Sequence, residues 1–203
     1  MGVLIDEKLN WKAHIKLVQS KLSKTLGIMY KAGNIVNTDA LYTLYCSLFM
    51  PYMSYCVEVW GNTYISNLNP IVILQKKVIR VICKVHYRHS TNLLFHSMNI
   101  LKFIDMVELS TGVLMYKVRN YMLPRRIQKL FIVNENISYN LRKKAYFKEP
   151  FRRTTRKSHC VSIIGPKVWH MYDINLKNCS TVHSFRRNLK LWLLRKYDVD
   201  IPS

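Results

Sequence analysis

The sequence has few acidic residues and lacks the motifs that carry most enzyme chemistry. Its 203 residues include 11 Asp and Glu against 32 Lys and Arg, a formal net charge of +21. It contains no Asp-Asp pair, no glycine-rich phosphate loop, no dinucleotide fingerprint and no Gly-x-Ser-x-Gly motif. Because a two-metal site needs converging carboxylates, the sequence indicates no catalytic residues.

The excess of cations points to a class of partner. A charge of this size repels itself unless a polyanion neutralises it, and nucleic acid is the leading candidate. Acidic lipid and acidic protein are the alternatives. Hydrophobic residues make up 49% of the sequence and aromatic residues 12%, which is enough to build a core. We therefore expect a folded protein that binds nucleic acid.

Five cysteines with no secretory signal before them indicate reduced thiols and an intracellular location, nuclear or cytoplasmic. Residues 40–57 are uncharged and approach the length of a membrane span. Pro51 and four tyrosines make this segment a poor lipid-facing helix. We expect a buried, kinked core helix there, and no membrane partner.

Apolar residues recur at helical spacing along most of the chain, with Lys and Arg on the remaining surface. This pattern predicts amphipathic helices. In the first half of the chain, the predicted helices are residues 10–31, a segment capped by Thr38 that ends at a turn over 60–62, and a helix opened by Asn69-Pro70 that runs over residues 71–84. They are followed by a piece that starts at Thr91 or Asn92, residues 101–122, a short helix with Trp169, and a last helix capped by Ser180 or Thr181.

Other segments predict strands or breaks. Residues 1–6 are apolar and β-branched, which predicts one strand of a hairpin whose partner is missing from the sequence. Residues 151–158 and 160–164 predict a short hairpin, and Gly165-Pro166 predicts a break. The predicted fold class is mainly α: a helical bundle followed by a small basic α+β C-terminal region.

Basic residues concentrate on the helix before residue 85 and in the C-terminal region. Tyr146, Phe147 and Phe151 lie between cations there, a composition that pairs phosphate contacts with base stacking. A solvated basic surface is the alternative at each place. The predicted nucleic-acid-binding residues are Lys76, Lys77, Arg80, Lys84, Arg142, Lys143, Lys144, Arg152, Arg153, Arg156, Lys157, Arg186 and Arg187.

Zinc-ligand residue types occur near the C-terminus, but they do not form a complete motif. The residues are His159, Cys160, His170, Cys179 and His183. Cys179 and His183 have a suitable four-residue spacing, yet no Cys-x2-Cys pair supplies the other half of a site. We therefore expect ordinary buried or surface residues and no metal or cofactor. Asp105 and Glu108 are expected to form an exposed helix pair.

Four segments in chain order resemble one known family. They are GVLID with LNW and HI at residues 2–15, YCVEVWG at 55–61, LQKKVIRVI at 74–82, and GPKVW with FRR at 165–187. These segments are similar to the region downstream of the polymerase active site in LINE-type (non-LTR) retrotransposon reverse transcriptases of the jockey-like group. The resemblance spans nearly the whole chain.

This resemblance implies a domain division. Residues 1–8 would be a residual primer-grip strand of the palm, 9–131 a helical thumb-like domain and 132–203 a basic C-terminal region. The family's aromatic-Ala-Asp-Asp motif is absent from the sequence, so we expect no polymerase activity from the chain alone. The parent enzyme would need Mg²⁺, and its ligands would lie in the upstream palm, which with the fingers is an expected partner.

The sequence therefore predicts a non-catalytic fragment of an RNA-directed DNA polymerase. Its basic helices would bind template RNA, RNA–DNA hybrid or DNA. Two other classes stay open. One is a domesticated interaction protein whose basic surface binds an acidic partner. The other is a metal-dependent nucleic-acid enzyme with an unrecognised site, for which Asp105 and Glu108 would be the candidates.

Overall fold

The structure, a computed structural model, describes residues 2–134, 146–151, 153–155 and 157–197. It is mainly helical with a small two-stranded sheet, which confirms the predicted fold class. Two compact units are present: residues 1–107 with 191–203 form the first, and residues 108–190 form the second. The predicted domain boundaries after residues 8 and 131 come from the family resemblance and not from compactness. They stay a prediction.

Short connections join the helices of the first unit. In chain order the elements are α1 (Lys12–Gly33), α2 (Thr38–Leu44), a π-helical turn (Tyr45–Phe49), α3 (Met50–Ser54), α4 (Val57–Trp60), α5 (Ile65–Ile82), α6 (Asn92–Ser97) and the beginning of α7 (Phe103–Arg119).

Helices α1 and α5 pack against each other in the first unit. Leu22 and Met29 of α1 and Ile71 and Val78 of α5 are fully buried. Within each helix the two residues are seven positions apart, which places them on one face. The predicted amphipathic helix at residues 10–31 is confirmed. Burial of each such side chain stabilises the fold by about 1.5–3 kcal/mol.

The N-terminal strand predicted for residues 1–6 is not formed in the described residues 2–6. Leu4 N–H donates to Nδ1 of His14 at 3.3 Å, and the Asp6 carboxylate accepts the N–H of Asn10 at 2.8 Å. A strand needs a second strand for its backbone groups. Here the side chains of His14 and Asp6 accept hydrogen bonds from backbone N–H groups instead.

The segment predicted as one apolar helix after Thr38 is divided into several pieces. Pro51 has no N–H to donate, and Met50 N–H bonds the Tyr45 carbonyl five residues back, which forms the π-helical turn. Asn37, rather than Thr38, caps α2 through its side-chain oxygen. No helix within the described residues has both the length and the apolar composition needed to cross a bilayer.

The second unit contains the rest of α7 and most of the C-terminal half. Its further elements are α8 (Arg125–Gln128), strands β1 (Ile132–Val133) and β2 (Phe147–Lys148), a 3₁₀ turn (Lys157–His159), α9 (Val161–Met171), α10 (Ile174–Lys177) and α11 (Val182–Arg195), whose end belongs to the first unit. The strands pair antiparallel. Thr181 Oγ1 accepts the N–H of Ser184 at 3.1 Å and caps α11, which confirms that prediction.

Aromatic rings form the core of the second unit. Tyr116 and Phe185 stack with 4.7 Å between ring centroids, and Trp169 lies 5.8 Å from Phe185. Phe147 of β2 meets Trp169 edge-on at 6.2 Å. The predicted hairpin over 151–164 is therefore wrong. Its second half begins α9, and β2 instead pairs with β1, which brings Phe147 to the ring cluster.

Prolines lie inside two helices that were predicted to begin or break there. Pro70 is the sixth residue of α5, and Pro166 is the sixth residue of α9. A proline near a helix start removes one backbone hydrogen bond, to the carbonyl four residues earlier. For Pro70 that carbonyl belongs to Ser66, which is exposed and so accessible to water. Both predictions based on these prolines are wrong.

Candidate nucleic-acid interface

Helix α5 separates an apolar face from a basic one. Ile71, Val78 and Ile82 are fully buried, whereas Lys77 is exposed and Arg80 is half-buried. Each residue turns an α-helix by about 100°, so these spacings place the apolar side chains and the cations on different sides. The predicted basic residues of α5 stand outside the core.

Three of the four predicted cations in this part of the chain line one surface groove. Lys77, Arg80 and Lys84 share it with Tyr30, near the end of α1, and Tyr87, in the loop after α5. Its volume is about 430 Å³, within the ~300–1,000 Å³ usual for small-ligand sites. We call it the α1–α5 groove. It brings cations and aromatic rings to one surface.

Lys76 is separated from these three cations. It lines another depression, of about 390 Å³, together with Lys102, Lys196 and Asp105. Neighbouring residues on a helix do not face the same way, so Lys76 and Lys77 serve different surfaces. The predicted stripe of four cations is therefore divided, and the α1–α5 groove contains three of its members.

Two of the groove cations are held by backbone carbonyls. Arg80 Nε donates to the carbonyl of His89 at 2.8 Å, and Lys84 Nζ donates to the carbonyl of Val36 at 3.0 Å. These bonds join α5 to the loops that border the groove. They also hold two positive charges in place, which reduces the side-chain ordering that binding would otherwise require.

Lys84 ends α5 in the left-handed backbone conformation, with φ of 52°. Its N–H donates to the Val81 carbonyl, and Val85 N–H donates to the Arg80 carbonyl, each at 3.1 Å. This pair of bonds is a Schellman motif, where glycine is the usual residue. Left-handed backbone costs an L-residue about 1–2 kcal/mol. Lysine is thus less favourable than glycine for this helix end, although it supplies a charge to the groove.

The basic segment after residue 140 is only partly described. The predicted residues outside the described part are Arg142, Lys143, Lys144, Arg152 and Arg156. Arg153 and Lys157 are exposed. Arg186 and Arg187 are exposed on α11, on the side away from buried Phe185. All of these stay predicted nucleic-acid-binding residues.

The rings predicted to alternate with these cations have different environments. Phe151 is 81% exposed, but Phe147 is 1% exposed and belongs to the core. The prediction that Phe147 offers a stacking surface is wrong, because side chains alternate along a strand and β2 turns Phe147 inward and Lys148 outward. Tyr146 is half-buried, with the Arg119 guanidinium 5.7 Å from its ring centroid.

The resolved pKa shifts at the following residues have burial as their first cause. Burial lowers the pKa of His14 and raises the pKa of Tyr45 and Tyr172. Burial, and then the nearby Lys177 ammonium, lower the pKa of His170. None of these groups lines the α1–α5 groove. We therefore read these shifts as consequences of packing.

The structure does not gather the candidate metal ligands. Among the described residues, no three His, Cys, Asp or Glu side chains are placed to hold a metal ion together. Asp105 is half-buried and accepts a hydrogen bond from the Tyr197 hydroxyl. The prediction that Asp105 and Glu108 form an exposed pair is wrong, since Glu108 is also half-buried.

Known proteins were compared with the chain in three ways. No family model, curated protein or solved structure matches it. The candidate interface therefore rests on the positions of its own residues.

Sequence reasoning missed the two tyrosines of the groove. Tyr30 follows buried Met29 and lies off the apolar face of α1, a position that periodicity alone treats as ordinary surface. Tyr87 lies in a loop that the sequence predicts, beside Arg88. Tyr87 next to Arg88 was the one pattern that could have indicated a binding residue. The sequence does not show, however, that this loop borders α1.

Proposed function

We propose that the chain is a non-catalytic, nucleic-acid-binding part of a LINE-type retrotransposon reverse transcriptase, active in the nucleus or the cytoplasm. The α1–α5 groove carries the nucleic-acid part of this proposal, because Lys77, Arg80 and Lys84 meet Tyr30 and Tyr87 there. The family part rests on the resemblance of the four sequence segments.

The groove suits the backbone of a nucleic acid. Its cations would contact phosphates, and such contacts fix position and register without reading sequence. Each phosphate neutralised releases counterions, so affinity falls as salt rises. Template RNA and RNA–DNA hybrid are the ligands that the family resemblance implies. Polymerisation would belong to the upstream palm and fingers, whose carboxylates would hold Mg²⁺.

Two substitutions test the groove while preserving the fold. Lys77 is exposed, so Lys77→Gln removes only a surface charge. Lys84→Gly removes a charge and the hydrogen bond to the Val36 carbonyl, and it places glycine where left-handed backbone favours it. Binding to a labelled RNA–DNA hybrid is measured by fluorescence anisotropy between 50 and 200 mM salt. Each variant should lose about one phosphate contact, which makes the affinity change over that range about 3.5-fold smaller.

Matched controls separate the groove from general charge. Lys16→Gln and Lys24→Gln each remove one exposed charge from α1 outside the groove. Asn99→Gly introduces glycine at another left-handed helix end, after α6, without changing charge. Equal losses from groove and control variants would reject the groove as the site. An affinity that does not respond to salt would reject nucleic-acid binding and favour an acidic protein partner.

A further inference from the structure

Both tyrosines of the α1–α5 groove have exposed rings. Tyr30 is 53% exposed and Tyr87 is 66% exposed. They line the same groove as Lys77, Arg80 and Lys84. Phosphate contacts alone would need only the cations. Two accessible rings beside three cations match the arrangement that binds single-stranded nucleic acid, where bases stack on aromatic side chains.

Planar neighbours support the ring of Tyr87. The Arg88 guanidinium lies 5.2 Å from its centroid, and the His86 ring lies 4.3 Å from it at a 47° tilt. A guanidinium near an aromatic ring is held by cation–π attraction. The ring is still mostly exposed with both neighbours in place. It therefore offers a partly ordered surface to a further planar group.

We propose that the α1–α5 groove binds a single-stranded segment of nucleic acid, with an unpaired base stacked on Tyr87 or Tyr30 and the flanking phosphates on Lys77, Arg80 and Lys84. This inference rests on the proposed function and specifies its ligand. A continuous duplex keeps its base faces stacked inside, so exposed tyrosine rings reach only unpaired or terminal bases. The groove volume of about 430 Å³ is large enough for a small planar group.

The test compares two single-stranded DNA oligonucleotides of ten nucleotides and equal charge. One carries all its bases, and the other has four central abasic residues. Stacking contributes about 5- to 150-fold per base in affinity, and we expect the lower end at an exposed site. The 203-residue chain should bind the base-bearing strand at least about fivefold more tightly. An RNA strand of the same sequence, in a third arm, distinguishes RNA from DNA.

Tyrosine variants locate the effect. Tyr87→Ala should remove most of the preference for the base-bearing strand and leave the salt dependence unchanged. Tyr87→Phe keeps the ring and should keep the preference. Tyr30→Ala and Tyr30→Phe repeat the comparison on α1. Because Tyr87 is largely exposed, its variants should unfold at the same denaturant concentration as the wild type.

Equal binding of the two strands by the wild type would overturn the inference, as would a preference that survives when Tyr30→Ala and Tyr87→Ala are combined in one variant. The groove-cation variants distinguish this failure from failure of the proposed function. If Lys77→Gln and Lys84→Gly weaken both strands and the bases make no difference, the groove binds only backbone. If these variants bind both strands like their controls, the proposed function fails as well.

Discussion

Both compact units bury aromatic rings, such as Trp60 in the first and Trp169 in the second, but they differ in the elements that surround those rings. In the first unit, α1 and α5 bury aliphatic residues at regular helical spacing, such as Leu22 and Ile71. In the second unit, rings contributed by a strand and several helices meet around Trp169. Long helices with one apolar stripe leave their other faces free to carry cations in order.

The exposure of individual rings explains where the candidate interface lies. Phe147 and Tyr146 read in the sequence as rings for a ligand, but Phe147 is in the core and Tyr146 faces Arg119. In the first unit, Tyr30 and Tyr87 are not needed for the core and stay exposed. A ring next to cations is therefore a binding candidate only when its own unit is packed without it.

The largest expected loss of stability comes from a substitution in the ring cluster of the second unit. Trp169→Ala leaves a cavity beside Phe147, Tyr172 and Phe185. We expect the free energy of unfolding to fall by about 3–5 kcal/mol, measured by urea titration. Phe151→Ala, at an exposed position, is the control and should stay within about 0.5 kcal/mol of wild type. Similar small losses from both variants would show that the rings do not form the core.

The next largest loss of stability is expected in the first unit, whose core contains a network of hydrogen bonds made by the Gln75 side chain. Gln75 donates to the Tyr45 hydroxyl at 3.1 Å and to the Leu101 carbonyl at 2.9 Å, and accepts Phe103 N–H at 2.7 Å. Gln75→Leu leaves these groups without that partner, so we expect a loss of about 2–4 kcal/mol. Tyr45→Phe removes one of the bonds and should cost about 1 kcal/mol. Calorimetry that ranks the two variants in the opposite order would contradict this role for Gln75.

A smaller change in stability is expected from glycine at the left-handed residue after α7. Tyr121, after α7, has φ of 55° and donates to the Val118 carbonyl at 3.2 Å. Tyr121→Gly relieves the left-handed strain, partly offset by a more flexible unfolded chain, so stability should rise by about 0.5–1 kcal/mol. Tyr30→Gly, inside α1, should instead lose about 0.5 kcal/mol. Urea titrations that give both variants the same sign would contradict the assigned backbone conformations.

The smallest expected effect is a pH dependence in the first unit. His14 is buried, accepts Leu4 N–H, and has a pKa below its usual 6.5 because of burial. The unfolded chain then binds the proton more tightly, so His14 contributes stability above pH 6.5 that is lost as pH falls from there toward its folded pKa. His14→Gln should reduce the loss of melting temperature between pH 7.5 and 5. Equal slopes for wild type and His14→Gln would contradict the effect.

Long amphipathic helices were predictable from the sequence, and their ends were less so. The helices α1, α5, α7 and α11 follow from apolar spacing. In a sequence, glycine is the usual sign of a helix end. The left-handed positions after α5, α6 and α7 are instead occupied by Lys84, Asn99 and Tyr121. The predicted helix start at Pro70 and the predicted break at Pro166 were wrong because a proline is tolerated near the beginning of a helix.

The cations of the candidate site could be predicted from the sequence, but its tyrosine rings could not. Lys77, Arg80 and Lys84 follow from the basic face of α5. Tyr30 is distant from them in sequence, and only the packing of α1 on α5 brings it to the same groove. Local patterns do not contain such long-range neighbours. The two-residue strands of the second unit are likewise too short to give a periodic signal.

The most direct test is the salt dependence of wild-type binding to an RNA–DNA hybrid, with duplex DNA and heparin as competitors. Three phosphate contacts in the groove predict an affinity that falls by at least about 40-fold between 50 and 200 mM salt. The hybrid should also be displaced less readily by heparin than a purely electrostatic complex would be. A flat salt response, or equal preference for heparin, would contradict a nucleic-acid-binding function for this protein.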